Sequence, residues 1–138
     1  MKTEPVEQSF PRSIQALTRV FAFTKKVASS YSLNDRVQYV LDLAVEEFFT
    51  NMVKYNPSGH GDIRITMDVN EHEMAVRLID PDSDAFDVTK ERTVDLQKSL
   101  AERKVGGLGV FLVQKLVENL HYNHENRVST ISFRLPLE

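Results

Sequence analysis

Ala44-Val45-Glu46-Glu47-Phe48-Phe49-Thr50-Asn51-Met52-Val53-Lys54-Tyr55 is the stretch whose reading decides the fold. It belongs to a run with helical periodicity from about Asp35 to Asn56, closed by Asn56-Pro57-Ser58-Gly59. At about 100° per residue, Val37, Val40, Leu41, Ala44, Val45, Phe48 and Met52 form one apolar face. Arg36, Asp42, Glu46, Thr50 and Lys54 form the opposite, polar face. Asn51 breaks the pattern by pointing into the apolar face. Glu47 stands one turn before it at the edge of that face, so the two side chains are neighbours. A buried amide or carboxylate without partners costs a few kcal/mol. Something must satisfy both groups: either a water-bridged polar pair inside the core, or a cleft that the carboxylate and the amide line.

Outward from this helix the chain reads as alternating layers. Glu4 to Phe10 is expected to form a strand that Phe10-Pro11 breaks, and Ser13 is a helix N-cap residue. Ile14, Leu17, Phe21 and Ala28 fall at helical spacing up to about Ser30, with Val20 and Val27 alongside, and Tyr31 to Asn34 makes a turn. Ile63, Ile65, Met67 and Val69 alternate with polar residues, as do Met74, Val76 and Leu78, with a hairpin-length connection over Asn70 to His72. Pro81 to Gly106 is polar, with a weak helical patch around Val94–Ala101. Gly106, Gly107 and Gly109 open an apolar helix expected over Val110 to Asn119, and Val128 to Leu135 alternates as a strand. The order predicts an α+β, two-layer sandwich in one domain, residues 1–138, with helices on one face of a mixed sheet.

The glycine cluster is the second chemical feature. Gly106-Gly107-Leu108-Gly109 runs into a helix whose N-terminal N–H groups and partial positive charge suit a phosphate. Many helices begin after glycines, so alone it indicates little. Arg103 and Lys104 precede it, as phosphate contacts or as solvated charges. The third feature is Ile79-Asp80-Pro81-Asp82-Ser83-Asp84-Ala85-Phe86, a carboxylate-rich segment after a strand.

Composition excludes several classes. The 138 residues include 41% hydrophobic and 27% charged, an ordinary globular balance. No cysteine is present, so disulfide, thiolate and Cys-ligated zinc chemistry are out. The net charge of −3 argues against nucleic acid as the main partner. Met1 to Phe10 has no apolar core of a signal peptide, and no run is long enough to span a membrane, so a cytoplasmic location is expected. His121 and His124 lie three apart in an expected strand, on opposite faces, and His60 and His72 fall in turns, so none makes a metal pair. No P-loop and no Gly-x-Ser-x-Gly sequence occurs.

From about Phe10 to Leu135 these features together resemble the GHKL ATPases, which share the Bergerat, histidine-kinase-like fold. Glu47 and Asn51 match the family's N box. The resemblance implies that Asn51 holds Mg2+ against the phosphates of ATP and that Glu47 is the general base. Gly107, Leu108 and Gly109 match the glycine box that cradles the β- and γ-phosphates. Asp80 matches the aspartate that accepts a hydrogen bond from the adenine amino group, but the two glycines that follow it in the family are Asp82 and Asp84 here, and Asp82 is an alternative for the adenine contact. Thr130, in Ser129-Thr130-Ile131, matches the threonine that assists that aspartate.

Within the family, a single domain with one extra N-terminal helix is similar to the anti-sigma serine kinases of partner-switching pathways. That implies an ATP- and Mg2+-dependent serine kinase, a homodimer, which binds a sigma factor or another regulator and phosphorylates an antagonist protein of the STAS type. Two other readings stand beside it. One is a binding module that sequesters a regulator without catalysis. The other is a stand-alone histidine-kinase-type catalytic domain.

Overall fold

The computed structural model describes residues 4–90 and 107–137. β1 (Val6–Phe10) leads through a single 3-10 turn at Ile14–Ala16 into α1 (Leu17–Ser30), then α2 (Asp35–Tyr55), β2 (Ile63–Val69), β3 (Glu73–Asp80), α3 (Gly107–Leu116), β4 (Glu118–Glu125) and β5 (Val128–Pro136). Local chemistry sets most boundaries. The Ser13 side chain accepts from Gln15 N at the start of the 3-10 turn. Asn34 Oδ1 caps α2 by accepting from Val37 N at 2.9 Å. Asn70 Oδ1 accepts from His72 N and Glu73 N and closes the β2–β3 turn. At the β4–β5 turn Asn126 and Arg127 both have positive φ, 52° and 66°, the twist that a tight hairpin demands.

The strands form one sheet in the order β1-β2-β3-β5-β4. Every ladder is antiparallel, where the sequence pattern suggests a mixed sheet. The reason lies in the connections. The helix pair between β1 and β2 brings the chain back antiparallel. The crossover through α3 leaves β4 parallel to β3, but β5 inserts between them, antiparallel to both.

Buried side chains of β2, β3 and β5 alternate strictly, so the helices cover one face and leave the other to solvent. The core runs through Phe10, Leu41, Phe48, Phe49, Ile65 and Phe133. Phe10 meets Phe23 and Phe49 at ring separations of 5.7 and 6.3 Å. Phe49 and Val53 lie outside the apolar face drawn from the sequence, yet both are buried, because α1 packs on that flank of α2. The same packing draws Asp42 off the solvated face: it accepts from Thr24 Oγ1 at 2.7 Å, and burial pushes its carboxyl above the ordinary range. The buried stripe of α1 is Val20, Phe23, Thr24, Val27 and Ala28 rather than one led by Ile14, which is exposed. α3 starts at Gly107 and stops at Leu116, and Glu118 and Asn119 already belong to β4. The expected helical patch at Val94–Ala101, and Arg103, Lys104 and Gly106, lie outside the described residues.

Candidate functional site

The cleft opens where α2 crosses the end of β3. Asn51 is 4% exposed on the underside of α2, and its Nδ2 donates to Glu47 Oε1 at 3.3 Å. That bond turns the Asn51 carbonyl oxygen, the atom a hard cation takes, away from Glu47. Burial raises the Glu47 pKa above the ordinary carboxylate range; the Asn51 bond and Lys54 oppose the shift, and Glu46 adds to it. Glu46 itself is exposed, as its place on the helix wheel implies.

The first turn of α3 lies directly over this pair. A Cβ at Gly109 would stand 2.6 Å from Glu47 Oε1 and closer still to Cδ and Oε2. Only a glycine lets the helix approach the carboxylate this closely. Gly107 and Leu108 form the first two residues of α3, and Gly109 brings this helix against Glu47, about 60 positions away in sequence.

Asp80 ends β3. Its side chain is fully buried, and its partner is Arg12, from the segment after β1. Arg12 Nη1 donates to Oδ2 at 2.9 Å and Nη2 to Oδ1 at 2.7 Å. The backbone N–H of Asp82 donates to Oδ1 at 3.0 Å. Arg12 Nη2 also reaches the carbonyls of His60 and Gly61. The guanidinium is held against Gly59, where a Cβ would stand 2.8 Å from Cζ. Nothing near Arg12 in sequence signals this role: its partner is 68 residues away, and Phe10-Pro11 reads only as a strand break.

The two carboxylates that stand where the resemblance expects glycines are both tied to Arg127; Asp84 still lines the cleft, and Asp82 does not. Asp82 accepts from Arg127 Nε at 2.6 Å and from His60 N at 2.7 Å, which holds its pKa below the ordinary range. Asp84 pairs with Arg127 Nη1 at 2.9 Å. Of the two candidates for the base contact, Asp80 lines the cleft and Asp82 does not. The placement of Thr130 is corrected as well. In β5 the odd positions Ser129, Ile131 and Phe133 face the helices, so Thr130 lies on the open face of the sheet, opposite Ile79. Ser129, paired across from Asp80, takes the inward place. It belongs to a hydroxyl network absent from the sequence reading: Ser83 Oγ bonds Ser129 Oγ at 2.7 Å, Tyr122 Oη lies 3.5 Å from Ser129 Oγ, and Tyr122 Oη accepts from Phe86 N at 2.8 Å. His124 bonds the Ser83 carbonyl from the inward side of β4, while His121 is exposed on the other face.

Between these walls the cavity is only about 20 Å³. Tyr55 and Phe86, two of its lining residues, stack at 4.5 Å. A space of that size holds about one water, so a purine needs the walls to part. The donor set fits magnesium in the way that ion is usually bound. One neutral oxygen from Asn51 stands beside an acidic residue, with phosphate and water left to complete an octahedron. Among the described residues no cluster of three His, Asp or Glu side chains forms a protein cage for a metal. No helix among them is long and apolar enough to cross a membrane.

The chain resembles known proteins in both sequence and fold. Over 97 residues it is 30% identical to the serine-protein kinase RsbW of Listeria monocytogenes, and the match covers 66% of this chain and 61% of that protein. The Listeria innocua RsbW is 29% identical over the same length. The chain thus spans about three-fifths of the curated relatives it matches. In fold it is similar to the RsbU and RsbW domains of Rv1364c from Mycobacterium tuberculosis, with a TM-score of 0.69 at 16% identity, covering 98% of this chain and 33% of that one. It is also similar to the SiaB–SiaC complex of Pseudomonas aeruginosa, with a TM-score of 0.62 at 16% identity over 95% of this chain and 88% of that one. The model of the histidine kinase-like ATPase domain matches residues 10–135, from the last residue of β1 to the end of the core in β5, and so takes in every wall of the cleft; this chain belongs to that family.

Proposed function

We propose that this protein is an ATP- and Mg2+-dependent serine kinase of the partner-switching type, which phosphorylates an antagonist of the STAS class and binds a sigma factor or another regulator, as a homodimer in the cytoplasm. The observation that carries the reading is the Glu47–Asn51 pair seated under Gly109. It brings together a carboxylate raised toward neutrality, an amide for a hard cation and a helix N-terminus for phosphate. The relatives named serine-protein kinase support transfer to serine. Magnesium held at Asn51 supplies charge neutralisation on the phosphates. Glu47 takes the proton of the attacking serine hydroxyl, the N-terminus of α3 faces the phosphates, and Asp80 reads the base amino group. Phosphoryl transfer depends mostly on such positioning and charge.

A second reading, a regulator-binding module without catalysis, draws on a specific observation. The cleft is only about 20 Å³, and Asp80 is already paired with Arg12. Titration calorimetry of ATP and ADP with and without Mg2+ separates the two. Micromolar, Mg2+-dependent binding that Asn51→Ala weakens at least tenfold supports the kinase. No binding at millimolar nucleotide sinks it and leaves the module. If phosphate is transferred, an acid-stable product marks serine, and an acid-labile one would favour a histidine-kinase-type domain instead.

The same titration checks the corrected base end. Ser129→Ala is expected to weaken ATP several-fold, since it removes a cleft hydroxyl. Thr130→Val, on the open face, should leave affinity within about twofold, as surface changes usually do. The reverse ranking would restore Thr130 as the contact.

A further inference from the structure

Arg12 approaches Asp80 from the side away from the cleft. It is anchored by the His60 and Gly61 carbonyls and pressed against Gly59, and it is not among the residues that line the cavity, whereas Asp80 is. Its side chain is 5% exposed. A carboxylate has about four acceptor sites, two on each oxygen. Oδ1 receives Arg12 Nη2 and the Asp82 N–H, and is filled. Among the described residues Oδ2 receives only Arg12 Nη1. One acceptor site therefore remains, on Oδ2, for whatever enters the cleft.

We propose that Arg12 is a positioning residue that sets base selectivity, by saturating Oδ1 of Asp80 and leaving a single acceptor on Oδ2 for one purine amino group. This inference rests on the nucleotide-binding reading above and deepens it. Adenine offers a donor, the N6 amine, next to an acceptor, N1, and one carboxylate site satisfies that donor. Guanine offers N1–H and the N2 amine side by side, and needs two acceptors on one carboxylate. With Oδ1 filled, one guanine donor would be buried without a partner, and a site rejects ligands chiefly by leaving polar groups unpaired. Arg12 also neutralises a carboxylate that is otherwise fully buried, which keeps it an acceptor rather than a protonated donor. A base bound in the cleft would thus meet a carboxylate already fixed by Arg12.

The test is calorimetry of ATP and GTP, each with Mg2+, on the wild type, Arg12→Met and Arg12→Lys, with circular dichroism to verify folding. The wild type is expected to prefer ATP strongly. Arg12→Met should bind ATP about tenfold more weakly while GTP holds or improves, so that the ATP/GTP ratio falls by at least tenfold. Arg12→Lys, which keeps the charge but offers no two-pronged fork, should lie between, and it carries the test if Arg12→Met fails to fold. A folded variant whose ATP/GTP ratio equals the wild type's, whether or not both affinities drop, overturns the selectivity role and leaves Arg12 a structural residue. Wild-type protein that binds neither nucleotide overturns the nucleotide-binding reading and this inference together. Wild-type protein that binds ATP with a ratio insensitive to both substitutions overturns this inference alone.

Discussion

Glu47→Gln is expected to abolish phosphoryl transfer and, at neutral pH, to make the protein more stable. Loss of a general base typically costs about 10²–10⁴ in rate, and glutamine keeps the shape and the acceptor for Asn51 Nδ2 while losing the basic oxygen. ATP affinity should change little. The gain in stability follows from the direction of the Glu47 shift. Burial raises its pKa in the folded state, so the native protein binds more protons than the unfolded chain between the ordinary glutamate value, about 4.3, and the raised one. Stability therefore falls as pH rises through that window, and the ionised carboxylate is a burden above it. Glutamine has no such term. The melting temperatures of wild type and variant should coincide at about pH 4, after allowance for the amide change itself, and separate in favour of the variant by pH 7 to 8. A paired series of melts across pH, beside a transfer assay, checks both halves. The acid limb of the wild-type rate profile should also fall at a higher pH than an ordinary glutamate would give. A variant that melts lower than wild type at pH 8, or transfers phosphate at the wild-type rate, would refute the assignment of Glu47 as a desolvated base.

The parts of this site that were legible in the sequence are those written in local spacing. Asn51 on an apolar helix face, four residues after Glu47, states its own anomaly, and the hydrogen bond between them follows from helix geometry. The alternation of β2, β3 and β5 gave their inward faces, and the same rule assigns Ser129 rather than Thr130 to the cleft. That misplacement came from matching a motif without following the strand's parity. What spacing does not encode is pairing across the sheet. Arg12 and Asp80 meet because β1 and β3 flank β2 and end at the same edge. Asp82 and Asp84, which stand in place of two glycines, both pair with Arg127, held in the left-handed conformation at a hairpin turn more than 40 positions later. The antiparallel sheet was likewise hidden, since its cause is the insertion of β5 between two strands that a helix connects. In each case the missing term is a contact between segments that composition and period treat as independent.

Gly109→Ala offers the sharpest separation of the two roles that a glycine at the start of α3 can play. If Gly109 serves only to free backbone N–H groups for phosphate, an added methyl should weaken ATP and transfer together. The space its Cβ would fill belongs instead to the Glu47 carboxylate, 2.6 Å from Oε1. Backbone of α2 and α3 is not what blocks the methyl; the far end of a flexible side chain is. The inexpensive response is for Glu47 to swing out from under the helix. That relieves its desolvation, and alanine is better than glycine in a helix by up to about 1 kcal/mol. The melting temperature of Gly109→Ala should therefore match or exceed that of the wild type. Transfer should fall about 10²-fold or more, because a displaced base no longer reaches the hydroxyl, and ATP affinity should fall by less than tenfold. A cycle with Glu47→Ala makes the coupling measurable: the double variant, in which the methyl meets only an alanine, should transfer no more slowly than either single variant, a non-additive result that marks one shared function. Equal loss of ATP binding and transfer in Gly109→Ala would return the residue to the phosphate cradle, and a melting temperature many degrees lower would mean that α3, not Glu47, gives way.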